Sequence, residues 1–393
     1  MKHDFFTYQA QTSPHPLAIE VSHAGGSYIF DTSGKAHLDF VAGVSACSLG
    51  HCHPKVVAAI EKQANAYMHV MVYGEYIQQP AVAYSKLLAQ HLPKPLETTY
   101  LVNSGTEAIE GAMKLARRFT GRSEIIAARN AYHGNTFGSL SLMDYEERKA
   151  PFRPLLSAIR HIAFNSRKDL EKITEKTAAV VLETIQGGAG FILPEDGYLE
   201  AVRKRCDEVG ALLVLDEIQP GFGRTGKLFA FEHFHCIPDV LVMGKGMAGG
   251  LPIGAFTASH EMMASLKESP MLGHITTFGG NPLIAAAALA TLEEITGSTI
   301  IQETLEKEQL FRSLLKHRLI REIRGKGLML TLIMENAEIA NDLVLSCAQK
   351  GLILFWLLFE KRAVRITPPL TISETEIKKG CEMLLEALDT LKQ

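Results

Sequence analysis

Leu212-Leu-Val-Leu-Asp216 and Val240-Leu-Val-Met-Gly-Lys-Gly246 are the two stretches on which the fold turns. Each is a short apolar run that ends on a charged side chain. A run of four or five apolar residues bounded by turn formers reads as a strand buried on both faces, the pattern of a parallel sheet. Asp216 closes the first run, and Lys245 follows the second between two glycines. A carboxylate at the end of a buried strand needs a partner, because an unpaired buried charge is costly. A protonated ring nitrogen would serve, and so would an arginine or a turn cap. A lysine held past such a strand is desolvated and loses its proton more easily. Neutral amine is the form that carbonyl chemistry requires. The plain alternative is a surface lysine in a turn.

Outward from these two strands the same alternation continues. Thr99–Val102, Ile125–Ala128 and Ala179–Glu183 read as further buried strands, and Glu107–Phe119 and Asp196–Val209 as amphipathic helices. Strands alternating with helices predict an α/β layer with a mostly parallel sheet. Ligands in such sheets sit at the carboxyl ends of strands. The chain ends read differently. Ser27–Phe30 and Lys35–Phe40 flank a Thr-Ser-Gly turn and form a hairpin pattern. From about Gly297 onward come a charged helix (Ile301–His317), a strand (Met329–Met334), a helix (Ala337–Lys350), a strand around Arg365 and a closing helix (Glu374–Leu391). The expected organisation is an N-terminal arm and part of a small domain over 1–45, a large domain over 46–296, and a C-terminal small domain over 297–393.

The bulk numbers are those of a globular protein. Of 393 residues 47% are apolar and 21% charged, and the net charge is −3. That balance argues against a nucleic-acid partner, which favours a basic face. Met1–Thr12 has no apolar run fit for a signal peptide, and the longest apolar run, Leu352–Phe359, falls far short of a membrane span. A cytoplasmic protein without a membrane partner is expected. Six cysteines lie scattered with no CxxC pair, so neither a disulfide framework nor a metal site is expected.

Two glycine patterns are decoys. Gly221-Phe-Gly-Arg-Thr-Gly226 and Gly244-Lys-Gly-Met-Ala-Gly249 both fit G-x-G-x-x-G. A dinucleotide fingerprint needs its first glycine directly after a strand and a helix opening at the third. Neither context fits. Gly221–Lys227 also resembles a phosphate loop, but Leu228 stands where a hydroxyl must hold magnesium. Asn103-Ser-Gly-Thr-Glu-Ala108 is the better anion site. It follows a strand and opens a helix, so backbone N–H groups and the helix dipole favour a phosphate. Ser104 or Thr106 acting as an N-cap explains the same residues and is compatible with it.

A phosphate-binding helix start, then an aspartate, then a lysine, each at a strand end, is the order found in pyridoxal-phosphate (PLP) enzymes of fold type I. The longer strings resemble the class III aminotransferases, with the ornithine and N-acetylornithine enzymes nearest. They are Leu215-Asp-Glu-Ile-Gln-Pro-Gly-Phe-Gly-Arg-Thr-Gly226, Pro238-Asp-Val240 with Gly244-Lys-Gly246, Gly50-His-Cys-His-Pro54, Tyr132-His-Gly134, Thr277-Phe-Gly-Gly-Asn-Pro282 and Arg365-Ile-Thr-Pro-Pro-Leu370. The likeness runs from about residue 15 to 385. It implies a large domain with a mostly parallel sheet and a small α/β domain built from both termini. It further implies that Lys245 carries the PLP covalently and then shuttles the substrate proton, and that Asp216 pairs with the pyridine nitrogen. Ser104, Gly105 and Thr106 form the phosphate loop, Tyr132 stacks on the ring, and Gln219 lies near the ring hydroxyl. Thr277 binds the phosphate across a homodimer interface. Arg365 takes the substrate α-carboxylate, for which its planar fork is suited. His133, in the same motif as Tyr132, is read as structural.

The chain departs from that pattern twice. Where the family carries a second arginine, this sequence has Asn135, and where it carries a gate glutamate, this sequence has Gly188. Arg365 should therefore be free throughout the cycle, and the far end of the pocket should offer hydrogen bonds from Asn135 without charge. Arg129 and Arg153 are the candidates to replace the missing cation. The activity implied is amino transfer from an amino acid or ω-amine, N-acetylornithine or ornithine first, to a 2-oxo acid such as 2-oxoglutarate. The alternatives are a 4-aminobutyrate-type or β/ω-amine transaminase, an aminomutase, or a PLP-binding protein without turnover. A nucleotide-dependent oxidoreductase rests on the glycine decoys alone.

Overall fold

Uninterrupted apolar runs pay off as buried strands in the computed structural model, which describes residues 1–391. Leu212–Asp216 (β5) and Val240–Gly244 (β6) are buried at every position. They sit in the middle of a seven-stranded sheet with Thr98–Val102 (β1), Glu124–Ala128 (β2), Ile159–Ile162 (β3), Thr177–Glu183 (β4) and Gly254–Ala258 (β7). The order across the sheet is β1-β7-β6-β5-β4-β2-β3. The β6-β5, β5-β4, β4-β2 and β2-β3 pairs are parallel, whereas β7 runs antiparallel to both of its neighbours. The mostly parallel α/β sheet is thus as expected, with one reversed strand that sequence reading did not separate.

Crossover helices cover the sheet. The helix Gly105–Thr120 (α1) buries Ala108, Ile109, Ala112, Met113, Leu115 and Ala116, spaced three and four apart, against the sheet. Ser104 caps it, its hydroxyl accepting from Glu107 N at 3.3 Å, and Gly121 ends it in the left-handed region at φ 69°. Tyr198–Val209 (α2) and Pro282–Gly297 (α3) are further long helices of this region.

The two chain ends interleave. Val21–Gly25, Tyr28–Asp31 and Ala36–Asp39 form an antiparallel meander, and Leu352–Ile353 adds to it in parallel. The expected hairpin is the second and third of these strands. A separate antiparallel sheet joins Ile320–Lys326, Met329–Met334, Ala363–Ile366 and Phe355–Trp356. The expected C-terminal helices occur at Ile300–Leu314, Ala337–Lys350 and Glu374–Thr390. Between the ends and the sheet runs an unusual turn. Ala42, Gly43, Val44 and Ser45 are all left-handed, with φ of 51°, 58°, 61° and 66°. Hydrogen bonds from the far end of the chain hold it: Thr367 N to Phe40 O at 2.7 Å, Thr367 Oγ1 to Val41 O at 3.0 Å and Leu370 N to Ser48 O at 2.8 Å.

Gly221–Gly226, the first glycine decoy, is a structural loop. Its Arg224 is buried and donates to the carbonyls of Leu328 and Pro368. No single helix among the described residues is long and apolar enough to cross a membrane.

Candidate active site

The carboxyl ends of β4, β5 and β6 deliver Glu183, Asp216 and Lys245 to one cavity of about 500 Å³. Gly105, Thr106, Tyr132, His133, Asn135, Gly188, Ile218, Gln219, Trp356 and Arg365 also line it. The two predicted site residues that do not line it are Ser104 and Thr277. Ser104 stands one residue outside, its hydroxyl engaged in the helix cap. Thr277 is exposed on the loop before α3, next to Thr276 of a different cavity.

Asp216 is buried and fully dressed. Its Oδ1 accepts from Ile218 N at 2.9 Å, and its Oδ2 accepts from His133 Nδ1 at 2.7 Å. Burial opposes charge on His133, but the bond to Asp216 and the charges of Asp216 and Glu183 outweigh it and raise the imidazole pKa. The His133 Nε2 is buried without a partner. Glu183 is also buried and accepts from Tyr132 N at 3.0 Å and Gly187 N at 2.9 Å. Burial pushes its carboxyl up to about 7.

Lys245 opens a 3-10 turn with φ of 43°, a left-handed value that is uncommon for a residue other than glycine, Asn or Asp. Its side chain remains partly accessible from the cavity. The protein around it is nonetheless apolar enough that burial lowers its ammonium to about 8, helped by the Arg365 charge and opposed by Asp216. A sizeable fraction of neutral amine near pH 8 is what a lysine needs to attack a carbonyl.

The start of α1 has the features of an anion site. The N–H groups of Gly105 and Thr106 have no carbonyl one turn earlier to bond, and the helix dipole points its positive end at the cavity. The hydroxyl of Thr106 meets Thr136 Oγ1 at 2.8 Å and Ser139 Oγ at 2.7 Å. Glu110 closes that network by accepting from Thr136 Oγ1, Gly138 N and Ser139 N at 2.6, 2.8 and 3.2 Å. Gly134 makes the close approach possible. A Cβ there would lie 2.2 Å from Thr106 Oγ1, and its φ of 129° suits glycine. Sequence reading missed this network, whose Glu110 sits one turn along α1 from the loop motif.

Arg365 stands across the cavity on Ala363–Ile366. It is 6% exposed, and its Nε and Nη1 have no partner. The Phe191 ring lies 5.8 Å from its Cζ, and burial lowers its pKa to about 10. An enclosed guanidinium without a counter-charge is a site prepared for a planar anion such as a carboxylate. Asn135, exposed at the mouth, donates from Nδ2 to Tyr132 Oη at 3.1 Å. Gln219 Nε2 donates to Ser45 Oγ at 3.3 Å on the left-handed turn. Arg153, a candidate for the missing cation, is instead paired with Glu146 at 2.7 Å. Arg129 is exposed and does not line the cavity.

These features fit PLP. Backbone donors stand at one wall for a phosphate, a buried carboxylate bonded to His133 stands at another, and a lysine whose pKa is lowered by burial lines the same cavity.

Comparison with known proteins bears on the same site. The sequence profile of the family described as aminotransferase class-III matches residues 8–388. The acetylornithine aminotransferase of Caldanaerobacter subterraneus subsp. tengcongensis is 38% identical over 379 residues, 93% of this chain and 94% of that protein. The putrescine aminotransferase of Pectobacterium atrosepticum is 39% identical over 96% of this chain and 83% of its own length. Among solved structures, the ornithine aminotransferase of Toxoplasma gondii ME49 superposes with a TM-score of 0.91 at 29% identity, covering 99% of this chain and 95% of that one.

Proposed function

The chain belongs to the class III aminotransferases, PLP-dependent enzymes, and on that premise we propose that it moves an amino group from N-acetylornithine or ornithine to 2-oxoglutarate. The observation that carries this reading is that Arg365, with Nε and Nη1 unpartnered among the described residues, lines the same cavity as Lys245. Bound PLP would supply an electron sink for the charge left when the carbon bearing the transferred amine loses its proton. The chain's own residues do the rest. Lys245 would hold the cofactor and, once free as an amine, would move the proton at the carbon that bears the transferred nitrogen, which in N-acetylornithine is the terminal carbon because its α-nitrogen is acylated. Asp216, which accepts from His133 Nδ1, would pair with the ring nitrogen. The N–H groups of Gly105 and Thr106 bind the phosphate, with Ser104 fixing the helix start. Tyr132 covers one ring face, and Gln219 reaches the ring hydroxyl. Arg365 grips the α-carboxylate, and Asn135 offers hydrogen bonds to the remote end of the donor.

A homodimer is part of the proposal. Met68, Met71, Tyr76, Ile77, Met271 and Phe278 are all exposed, Ile77 to 94%, and Tyr76 lines the cavity that also contains Thr276. An apolar face of this extent marks a protein interface. A second copy seated there would bring Thr277 to its neighbour's phosphate site and complete it. We place the enzyme in the cytoplasm and the boundary between its large and small domains near residues 45 and 297.

Gly188 and Asn135 favour a second reading in which the donor is an ω-amine without a second carboxylate. The test is the visible spectrum of the purified protein, followed by addition of donors one at a time. A yellow band bleached by N-acetylornithine or ornithine supports the first reading. Bleaching by diamines alone selects the second, and no visible band after added PLP defeats both.

A further inference from the structure

Gly188 does more than leave out a side chain. A Cβ at this position would lie 2.8 Å from Phe359 Cε2, so the ring of Phe359 occupies the space that any larger residue would need. Phe359 N donates to Gly188 O at 3.0 Å, which fastens the two segments together. Gly188 and the neighbouring Leu358 both line the cavity. The Phe359 ring is in turn a platform. Tyr145 packs on it with centroids 5.2 Å apart, and the Arg148 guanidinium stands over it with Cζ 5.9 Å from its centre. That distance is within the range of cation–π attraction, which positions the cation without neutralising it.

Arg148 belongs to the short helix Glu146–Lys149, of which Glu146 and Lys149 are engaged elsewhere. Lys149 Nζ donates to Met143 O at 2.6 Å, and Glu146 is held by Arg153. Arg148 itself is exposed and makes no ion pair among the described residues. Its charge reaches the Tyr132 hydroxyl, where it opposes the upward push of burial. Tyr132 is also the residue to which Asn135 donates. Arg148 does not itself line the cavity, but it stands beside two of its rim positions, over the ring that abuts Gly188 and close enough to Tyr132 for its charge to act there, while Arg365 lines the cavity itself.

We infer that Arg148, seated on the Phe359 ring that Gly188 makes room for, binds the remote carboxylate of a dicarboxylic 2-oxo acid whose α-carboxylate sits on Arg365. This rests on the transaminase reading and names the acceptor class for it. The second cation missing at Asn135 is supplied from a different segment, and the glycine in place of a carboxylate at 188 is the condition for it.

The experiment uses the PLP-loaded enzyme with one amino donor and compares two acceptors, 2-oxoglutarate and pyruvate, which share the α-keto acid and differ in the remote carboxylate. In Arg148→Gln the KM for 2-oxoglutarate rises about tenfold, equivalent to about 1.4 kcal/mol, with kcat and the KM for pyruvate within about twofold. Arg148→Lys recovers part of the loss. A merely structural role would move both acceptors together, and that outcome overturns the assignment. So does an unchanged KM for 2-oxoglutarate, or a wild-type enzyme that uses pyruvate but not 2-oxoglutarate. Absence of turnover with every donor and acceptor would overturn the transaminase reading itself and this assignment with it.

Discussion

The two ends of the pocket are built on opposite plans. At the inner end nearly every polar group is buried and partnered: Asp216 with His133 and Ile218, Glu183 with Tyr132 and Gly187, Thr106 with Thr136 and Ser139. At the outer end Arg365 lacks partners, Asn135 and Arg148 are exposed, and Phe355 and Trp356 form a wall from a two-residue strand. A satisfied buried network admits one arrangement, since removing any member strands another. An outer rim of exposed side chains is free to change. The contrast fits the proposal above, in which the inner end holds the cofactor and the outer end the substrate; the relatives named for acetylornithine and for putrescine differ in that substrate.

That division can be broken most decisively at Lys245. Replacing it with Ala should cost roughly 10³-fold or more in turnover, within the range expected for a lost positioned base, and remove the visible band of lysine-held cofactor. Residual turnover near wild type would mean that the inner end is not where the chemistry occurs. Arg365→Gln should act at the outer end instead. It should raise the KM for 2-oxo acids by about 2–5 kcal/mol of lost carboxylate binding while the visible band persists. Loss of the band in this variant would erase the distinction between the two ends.

The third effect is smaller and sharpens the picture of the inner end. Burial holds Lys245 near 8 rather than 10.5. The neutral, reactive form therefore accumulates as pH rises through 8, and the cationic form dominates below it. Covalent capture of PLP by cofactor-free enzyme should accelerate roughly tenfold from pH 7 to pH 9 and then level off. A rate still climbing above pH 10 would show an ordinary, solvated lysine.

The contrast also explains what could be read from the sequence. Lys245, Asp216 and Arg365 were legible because strand-end charges in apolar runs, and the strings around them, carry a local signature. The long buried strands were legible for the same reason. Gly254–Ala258 was not, because a short run of small residues does not reveal strand direction. Ile159–Ile162 lies at the sheet edge and carries Arg160 and His161, which break its apolar run. At the outer end, Glu146-Glu-Arg-Lys149 reads as a solvated charge run. Only the folded chain shows that Arg148 overlies a ring from the far C-terminal region. The Glu110 network was hidden similarly, since its loop partners come more than two dozen residues later and meet it only across the α1 face.

The left-handed turn at Ala42–Ser45 has a consequence for the order in which the molecule is made. Left-handed backbone costs roughly 1–2 kcal/mol for each residue that is not glycine, so Ala42, Val44 and Ser45 do not hold this shape by local preference. Local bonds from Ala42 N to Asp39 Oδ1 and from Ser45 N to Val41 O hold part of it, and its flanks at Phe40, Val41 and Ser48 take their braces from Thr367 and Leu370, far along the chain. On a ribosome the seven strands of the sheet are all synthesised before those braces exist. The nascent chain can complete its sheet and helix α1, but the wall at Val44 and the guanidinium of Arg365 arrive together, last. The substrate end of the pocket is therefore made after the lysine, and until Arg365 is in place the chain can display its lysine but lacks the guanidinium that selects what reaches it.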